Sequence, residues 1–329
     1  MSATIRDVAS AAGVSPSTVS RALAGSELVL PATRERVRRA AERLGYHPNR
    51  AARGLITGRT NNLGLIVPDL ANPFFPGVVK GVQARAHESD LAVFVADTDE
   101  NVSAEARLAR SLAKQVDGLI LCSTRLSEEE LRSLTADIAL VLMNRQVPGI
   151  SSISVDNAGG MRQAVSHLAA LGHRRVGYVA GPANSWSSSQ RLRGLRSAAA
   201  EANVELIEFG NFAPHFGSGV AAADLALAAE VTAVMAYNDV VALGVLSRLS
   251  ARGVAVPDQL SVVGCDDIAL SAMCNPSLTT IGLPQEHAGH AAVDLLITLF
   301  DESRRDDPID SELDTHLTVR ASTGPAPST

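Results

Sequence analysis

Residues 4–23 read TIRDVASAAGVSPSTVSRAL, two short amphipathic segments separated by a glycine. Ile5, Val8, Ala9 and Ala12 recur at i, i+3, i+4 and i+7, which is one apolar face of a helix. Thr4 stands at its N-cap with Asp7 at the capping-box position, and Gly13 ends it. Ser15 then caps a second helix beginning at Pro16, where a missing N–H is harmless. Val19 and Leu23 supply its inward face, so Ser17, Ser20 and Arg21 point outward. Two short helices joined by a three-residue turn form a helix-turn-helix, whose second helix enters the major groove of DNA and lets an arginine reach a guanine edge or a phosphate. The same pattern also occurs in proteins that never meet DNA.

The flanking sequence favours the DNA reading. PATRERVRRAAERLGY predicts a third helix with Val37, Ala40, Ala41 and Leu44 on one face and Gly45 at its end, completing a three-helix core. Leu30 precedes it, so this helix lacks a side-chain N-cap. In HPNRAARGL, Asn49 is placed to cap a short helix over residues 50–56, and TGRTNN reads as a linker. The first 60 residues carry a net charge of +6 and the remainder −12. A basic head on an acidic body points to a polyanion partner for the head alone.

At 329 residues and 46% hydrophobic content the chain fills real cores. No apolar run exceeds about six or seven residues, against the roughly 20 needed to span a bilayer, and the N-terminus lacks the apolar core of a signal peptide. The expectation is a cytoplasmic protein with no membrane contact. Cys122, Cys265 and Cys274 match no metal-ligand spacing and read as reduced, buried thiols, so no metal and no cofactor are expected.

From residue 61 the pattern changes to short apolar runs alternating with helical stretches: LGLIVPD, LAVFVAD, VDGLILC, ALVLMN, RVGYVAG, VELIEFG, TAVMAYND and LSVVGCDD. This is βαβ punctuation, and strands so uniformly apolar imply parallel sheets covered on both faces. Ligands of open α/β sheets bind beyond the carboxyl ends of strands. There the sequence places Asp69, Asp97, Asn144, Asn238, Asp239, Asp266 and Asp267, with Arg191 opening a helix and Phe74, Phe75, Trp186 and Phe212 nearby. Carboxylates and amides suit hydroxyl-bearing ligands, an arginine fork fixes one ring edge, and aromatics sandwich a flat face. Each aspartate also reads as a helix cap and each aromatic as core.

TIRDVASAAGVSPSTVSRAL, HPNRAARGL and LGLIVPDLANPFF, in that order and spacing, resemble the LacI/GalR family of bacterial transcription repressors over essentially the whole chain. The resemblance implies a helix-turn-helix head over residues 1–48, a hinge helix and linker over 49–60, and a two-subdomain body of the periplasmic-binding-protein type I fold over 61–329. Its subdomains would be 61–157 plus 285–313, and 158–284 plus 314–325. Residues matching DNA contacts are Thr4, Ser15, Pro16, Ser17, Ser20, Arg21, Thr33, Tyr46 and Asn49, with Ala52 and Leu55 in the minor groove. Leu55 matches an apolar wedge between base pairs, and its alternative is packing against the body. Ala24 stands where an asparagine is common. Residues matching effector contacts are Phe74, Phe75, Arg191, Phe212, Asn238 and Asp266, with Ser185 and Ser187 in a loop that varies between members. Asn144 and Trp186 join this set as strand-end and aromatic candidates.

An enzyme is disfavoured, because GxGxxG, GxxxxGK[ST], GxSxG and HExxH are all absent and His173 in LGHRRVGY reads as a helix-ending residue. A transport solute-binding protein would share the body but has no use for the basic head. The expectation is a DNA-binding regulator, a homodimer on a pseudopalindromic operator, whose DNA affinity is controlled by a small-molecule effector. A sugar or sugar derivative is favoured, and a nucleobase or other metabolite acting as co-repressor is the alternative.

Overall fold

The computed structural model describes residues 3–23, 28–46, 59–305 and 307–327. Two compact units divide at the linker, Met1–Asn61 and Asn62–Thr329.

In the first unit, α1 (Ile5–Ala12), α2 (Pro16–Leu23) and α3 (Pro31–Leu44) pack around buried Val8, Ala9, Val19, Val37 and Ala41. Thr4 and Asp7 form a reciprocal capping box on α1, and Gly13 terminates it at φ 63°, a left-handed conformation that favours glycine. Ser15 Oγ accepts from the Thr18 amide at 3.1 Å, capping α2 as expected. Leu30 makes no side-chain cap on α3. One core expectation is corrected: Leu44 is exposed, and Tyr46 packs against the head core instead. The cause is the turn at Gly45, where Tyr46 N donates to Ala41 O and Gly45 N to Glu42 O, folding the chain back so that the residue after the glycine covers the last turn. The proposed hinge helix, with Asn49, Ala52 and Leu55, lies outside the described residues, as does Ala24.

In the second unit, two six-stranded sheets share the chain. The first is ordered β11-β5-β4-β3-β1-β2, from β1 (Asn62–Val67), β2 (Ala92–Asp97), β3 (Gly118–Cys122), β4 (Ala139–Met143), β5 (Ser152–Val155) and β11 (Asp310–Leu313). The second is β12-β10-β9-β8-β6-β7, from β6 (Arg175–Ala180), β7 (Glu205–Asn211), β8 (Ala233–Ala236), β9 (Ser261–Asp266), β10 (Thr279–Gly282) and β12 (His316–Thr318). All pairings are parallel except β10 with β12. The chain therefore passes between the sheets three times, after β5, after β10 and after β11. Helix Gln285–Thr298 returns it to the first sheet and packs on helix Phe74–Glu88 so closely that a Cβ on Gly81 would lie 2.1 Å from the Glu286 carbonyl.

Eight of these strands coincide with the apolar runs. The other four, β5, β10, β11 and β12, are short and polar, and carry buried Ser152, Ser154, Thr279 and Thr280 that no apolar run announces. Among the described residues no helix is long and apolar enough to cross a membrane.

Candidate functional site

The head presents the outward face of α2. Ser15, Pro16, Ser17 and Arg21 are exposed there, Ser20 is half-buried, and the Ser15 and Ser17 hydroxyls lie 2.8 Å apart. Thr4 is exposed at the start of α1, Thr33 is half-buried in the first turn of α3, and Tyr46 is half-buried against the core. Arg36 is not available as a free arm, because its Nε donates to Ala12 O at 2.9 Å and ties α3 to the end of α1.

In the body, the carboxyl ends of the strands border a narrow cleft. Phe74, Phe75, Asn144, Arg191, Asn238 and Asp266 all line it, joined by Ser187 and Asp69. The backbone aims several of them: Ser123, Asn144 and Asp266 leave their strands with φ of 51°, 53° and 125°. Positive φ is uncommon for residues with a Cβ, and such conformations gather where a site needs side chains turned across the strand ends.

Arg191 organises the second-sheet wall. Its Nε donates to Asn157 Oδ1 at 3.0 Å, Nη1 to the Tyr237 carbonyl at 2.5 Å, and Nη2 lies 3.6 Å from Asp266 Oδ1. The guanidinium also sits 4.9 Å from the centroid of the Tyr237 ring, a cation–π contact. Burial pushes the Asp266 carboxyl up to about 8, against the lowering effect of Arg191. Asn238 spends its amide on the fold: Oδ1 caps Val241 N at 2.9 Å and Nδ2 donates to Pro214 O. On the other wall Phe74 and Phe75 meet edge to face, ring centroids 5.2 Å apart. Ser187 Oγ donates to the Asn144 carbonyl at 3.1 Å, joining the two walls.

Three expected contacts lie off this lining. Trp186 is rotated away because helix Trp186–Glu201 turns Ser187 and Arg191, four apart, onto the cleft face. Ser185 is buried as the N-cap of that helix and stands behind Tyr237, its Oγ 3.3 Å from the phenol oxygen. Phe212 packs against the apolar cluster of the second sheet, with its amide donating to Ala180 O. Other strand-end aspartates serve the fold. Asp239 is fully buried and accepts from Ile268 N, Ser271 Oγ and Thr280 Oγ1, Asp267 pairs with Arg320 at 2.7 Å, and Asp97 holds Leu70 N and Asp99 N.

Asn72, Glu100, Ser123, Arg125, Pro214 and Tyr237 line the cleft without having been singled out from sequence. Tyr237 precedes Asn238 at the same strand end, while Glu100 and Arg125 sit three residues beyond β2 and β3, within reach of a wider strand-end rule. The lining contains no histidine, cysteine or lysine, and among the described residues no group of three His, Cys, Asp or Glu could hold a metal ion. Buried Cys122 has its thiol pushed up to about 12 by burial. His173 is buried away from the cleft, bonded to Thr232 Oγ1 and the Gly324 carbonyl. The arrangement binds and orients a small polar molecule.

Residues 4–49 match the bacterial regulatory proteins of the lacI family, and residues 165–323 match the periplasmic binding protein-like domain. The chain is 38% identical to the HTH-type transcriptional regulator CelR of Thermobifida fusca, over 97% of its own length and 98% of that protein's. Its structure is similar to that of the lac repressor dimer bound to operator and the anti-inducer ONPF, with a TM-score of 0.88 and 29% identity over 98% of this chain and 100% of that one. It is also similar to the CelR–cellobiose complex, with a TM-score of 0.72 and 34% identity over 97% and 99% of the two chains. These relatives are DNA-binding regulators and not enzymes. With a helix-turn-helix head, a two-sheet body and a cleft at its strand ends, the chain belongs to the LacI family of DNA-binding transcription regulators.

Proposed function

We propose that this regulator is a cytoplasmic repressor that binds a pseudopalindromic operator as a homodimer, one head per half-site, and that an uncharged sugar or sugar derivative in the cleft sets its operator affinity. The ligand class rests on one observation: the cleft sets the aromatic pair Phe74 and Phe75 among side-chain carboxylates and amides. A sugar ring has a C–H face for the aromatics and a rim of hydroxyls for the carboxylates. The cellobiose complex of the related CelR supports the same class. Phe212, the ring expected to stack on a nucleobase, is off the lining.

Exposed Phe216, Leu270 and Met273, beside half-buried Leu243, form an apolar surface on the second-sheet half and support dimerisation there. Selection of duplexes from a random pool, followed by sedimentation of the complex, tests the DNA half of the reading. The expected result is an inverted repeat bound by two chains, and a stable monomer on one asymmetric site overturns it. Thermal-shift screening against cellobiose, ribose and nucleobases tests the ligand half, since a ligand of the native state raises the melting temperature. A shift confined to nucleobases overturns the sugar assignment.

A further inference from the structure

Three carboxyl groups, of Asp69, Glu100 and Asp266, and two guanidinium groups, of Arg125 and Arg191, line the cleft. Both arginines are already committed. Arg191 is bound as described above. Arg125, with a side chain only 5% exposed, places Nη2 2.7 Å from Glu100 Oε2 and donates from Nη1 to the Ser123 carbonyl at 3.4 Å. Its backbone amide is held by buried Glu105, whose Oε2 accepts at 3.0 Å. Glu100 is itself pinned, since its amide donates to Pro68 O at 2.7 Å, setting it beside the end of β1. Its side chain is 27% exposed, and Oε1 accepts no hydrogen bond from any described residue.

A carboxylate or phosphate on a ligand entering this cleft meets three carboxyl groups and no uncommitted guanidinium. To bind, it must displace Glu100 from Arg125 or Asp266 from Arg191, separating a pair held away from water. A hydroxyl meets the opposite situation, because Glu100 offers it a charged acceptor. We propose that Glu100 is a specificity-determining residue of the effector cleft: Oε2 occupies Arg125 so that anions are refused, and Oε1 accepts from a hydroxyl of an uncharged polyol. The inference rests on the sugar reading of the cleft and adds the residue that enforces neutrality.

The test compares neutral sugars with their own aldonates, which differ by one carboxylate at the reducing carbon. The full chain and its E100Q variant are titrated by calorimetry with cellobiose, cellobionate, ribose and ribonate, with thermal shift as a second readout. The expected parent binds at least one neutral sugar and binds the matching aldonate at least about tenfold more weakly. In E100Q, which keeps the shape but frees Arg125, affinity for the neutral sugar falls about tenfold and the aldonate-to-sugar ratio rises about tenfold or more. Adding Arg125→Gln to E100Q removes the freed cation and abolishes the gain in aldonate binding. Should E100Q fail to melt cooperatively, Glu100→Asp replaces it: the shorter carboxylate keeps anion refusal while losing affinity for the neutral sugar. Unchanged discrimination in E100Q, or a Glu100→Asp variant that admits the aldonate, overturns the proposal, as does a parent that prefers the aldonate. A parent that binds none of the four probes but responds to a nucleobase overturns the sugar reading beneath it.

Discussion

Arg191 and Asp266 meet within the cleft with Nη2 and Oδ1 3.6 Å apart, both side chains 6% exposed. The carboxylate is not spent on a helix N-cap: the helix that follows, Ala269–Met273, is preceded by Ile268 with no side-chain cap. Asp266→Asn therefore keeps the side chain's shape and removes the carboxyl that faces both Arg191 and the ligand. The expected result is a rise of about tenfold or more in the Kd for a sugar effector, measured by calorimetry. Arg191→Lys keeps the charge but loses the planar fork that reaches Asn157 and the Tyr237 carbonyl together, and weakens binding in the same assay. Parental affinity in both variants would show that the effector sits elsewhere.

His173 makes the body sensitive to acid. It is buried, its Nε2 donates to the Gly324 carbonyl and its Nδ1 lies 2.9 Å from Thr232 Oγ1. Burial, with help from His167 and Arg174, lowers its pKa from the ordinary 6.5. The unfolded chain then binds this proton more readily than the folded one, so the stability is fully present above about pH 6.5 and is lost as pH falls through the folded value. The contribution of His173, read as the difference in melting temperature between the parent and His173→Gln, should be level from pH 8 to 7 and shrink below 6.5. His173→Gln should lower the melting temperature at every pH, by about 1–3 kcal/mol of stability, while flattening the slope between pH 6.5 and 5.5. A parental slope in the variant would assign the acid sensitivity to other groups.

The missing cap of α3 can be restored. Leu30 is 74% exposed, its backbone is extended at φ −55°, ψ 142°, and the Thr33 amide bonds only its carbonyl. Serine in that place supplies an oxygen for the Thr33 amide, worth about 0.5–2 kcal/mol to the helix. Leu30→Ser should slow hydrogen exchange at the Thr33 and Arg34 amides. Unchanged exchange would mean that Pro31 at the first helical position already holds this end rigidly.

Arg21 is exposed in the last turn of α2, in a head with a net charge of +6 over 60 residues. Arg21→Ala should cost roughly 1–3 kcal/mol in operator binding and relax the preference at one position of each half-site. If several phosphates are neutralised per dimer, affinity should fall by about 10³ or more between 50 and 200 mM salt. Fluorescence anisotropy across that range checks both, and a salt-insensitive complex contradicts an electrostatic role for the head.

The parts legible from the chain alone were those whose causes are local. The capping box at Thr4 and Asp7, the left-handed stop at Gly13 and the 3.6-residue spacing of Val8, Ala9 and Ala12 each act within a turn or two, so residue order suffices to place α1 and α2. Eight strands were visible for a similar reason, since a strand buried on both faces must be apolar throughout. Strand β5 was hidden because its burial is satisfied from far along the chain: Ser152 Oγ donates to Asp310, a residue in β11. Membership of the cleft was decided by tertiary structure as well. One step of helix rotation separates Trp186, off the lining, from Ser187, on it. Glu100 and Arg125, 25 positions apart, become a cleft ion pair only because parallel β2 and β3 flank β1 and release their loops at the same end. Strand ends can be read from hydrophobic pattern, but which side chains turn into the space beyond them depends on loop dihedrals such as the positive φ of Ser123, Asn144 and Asp266, and those are set by packing across the sheet.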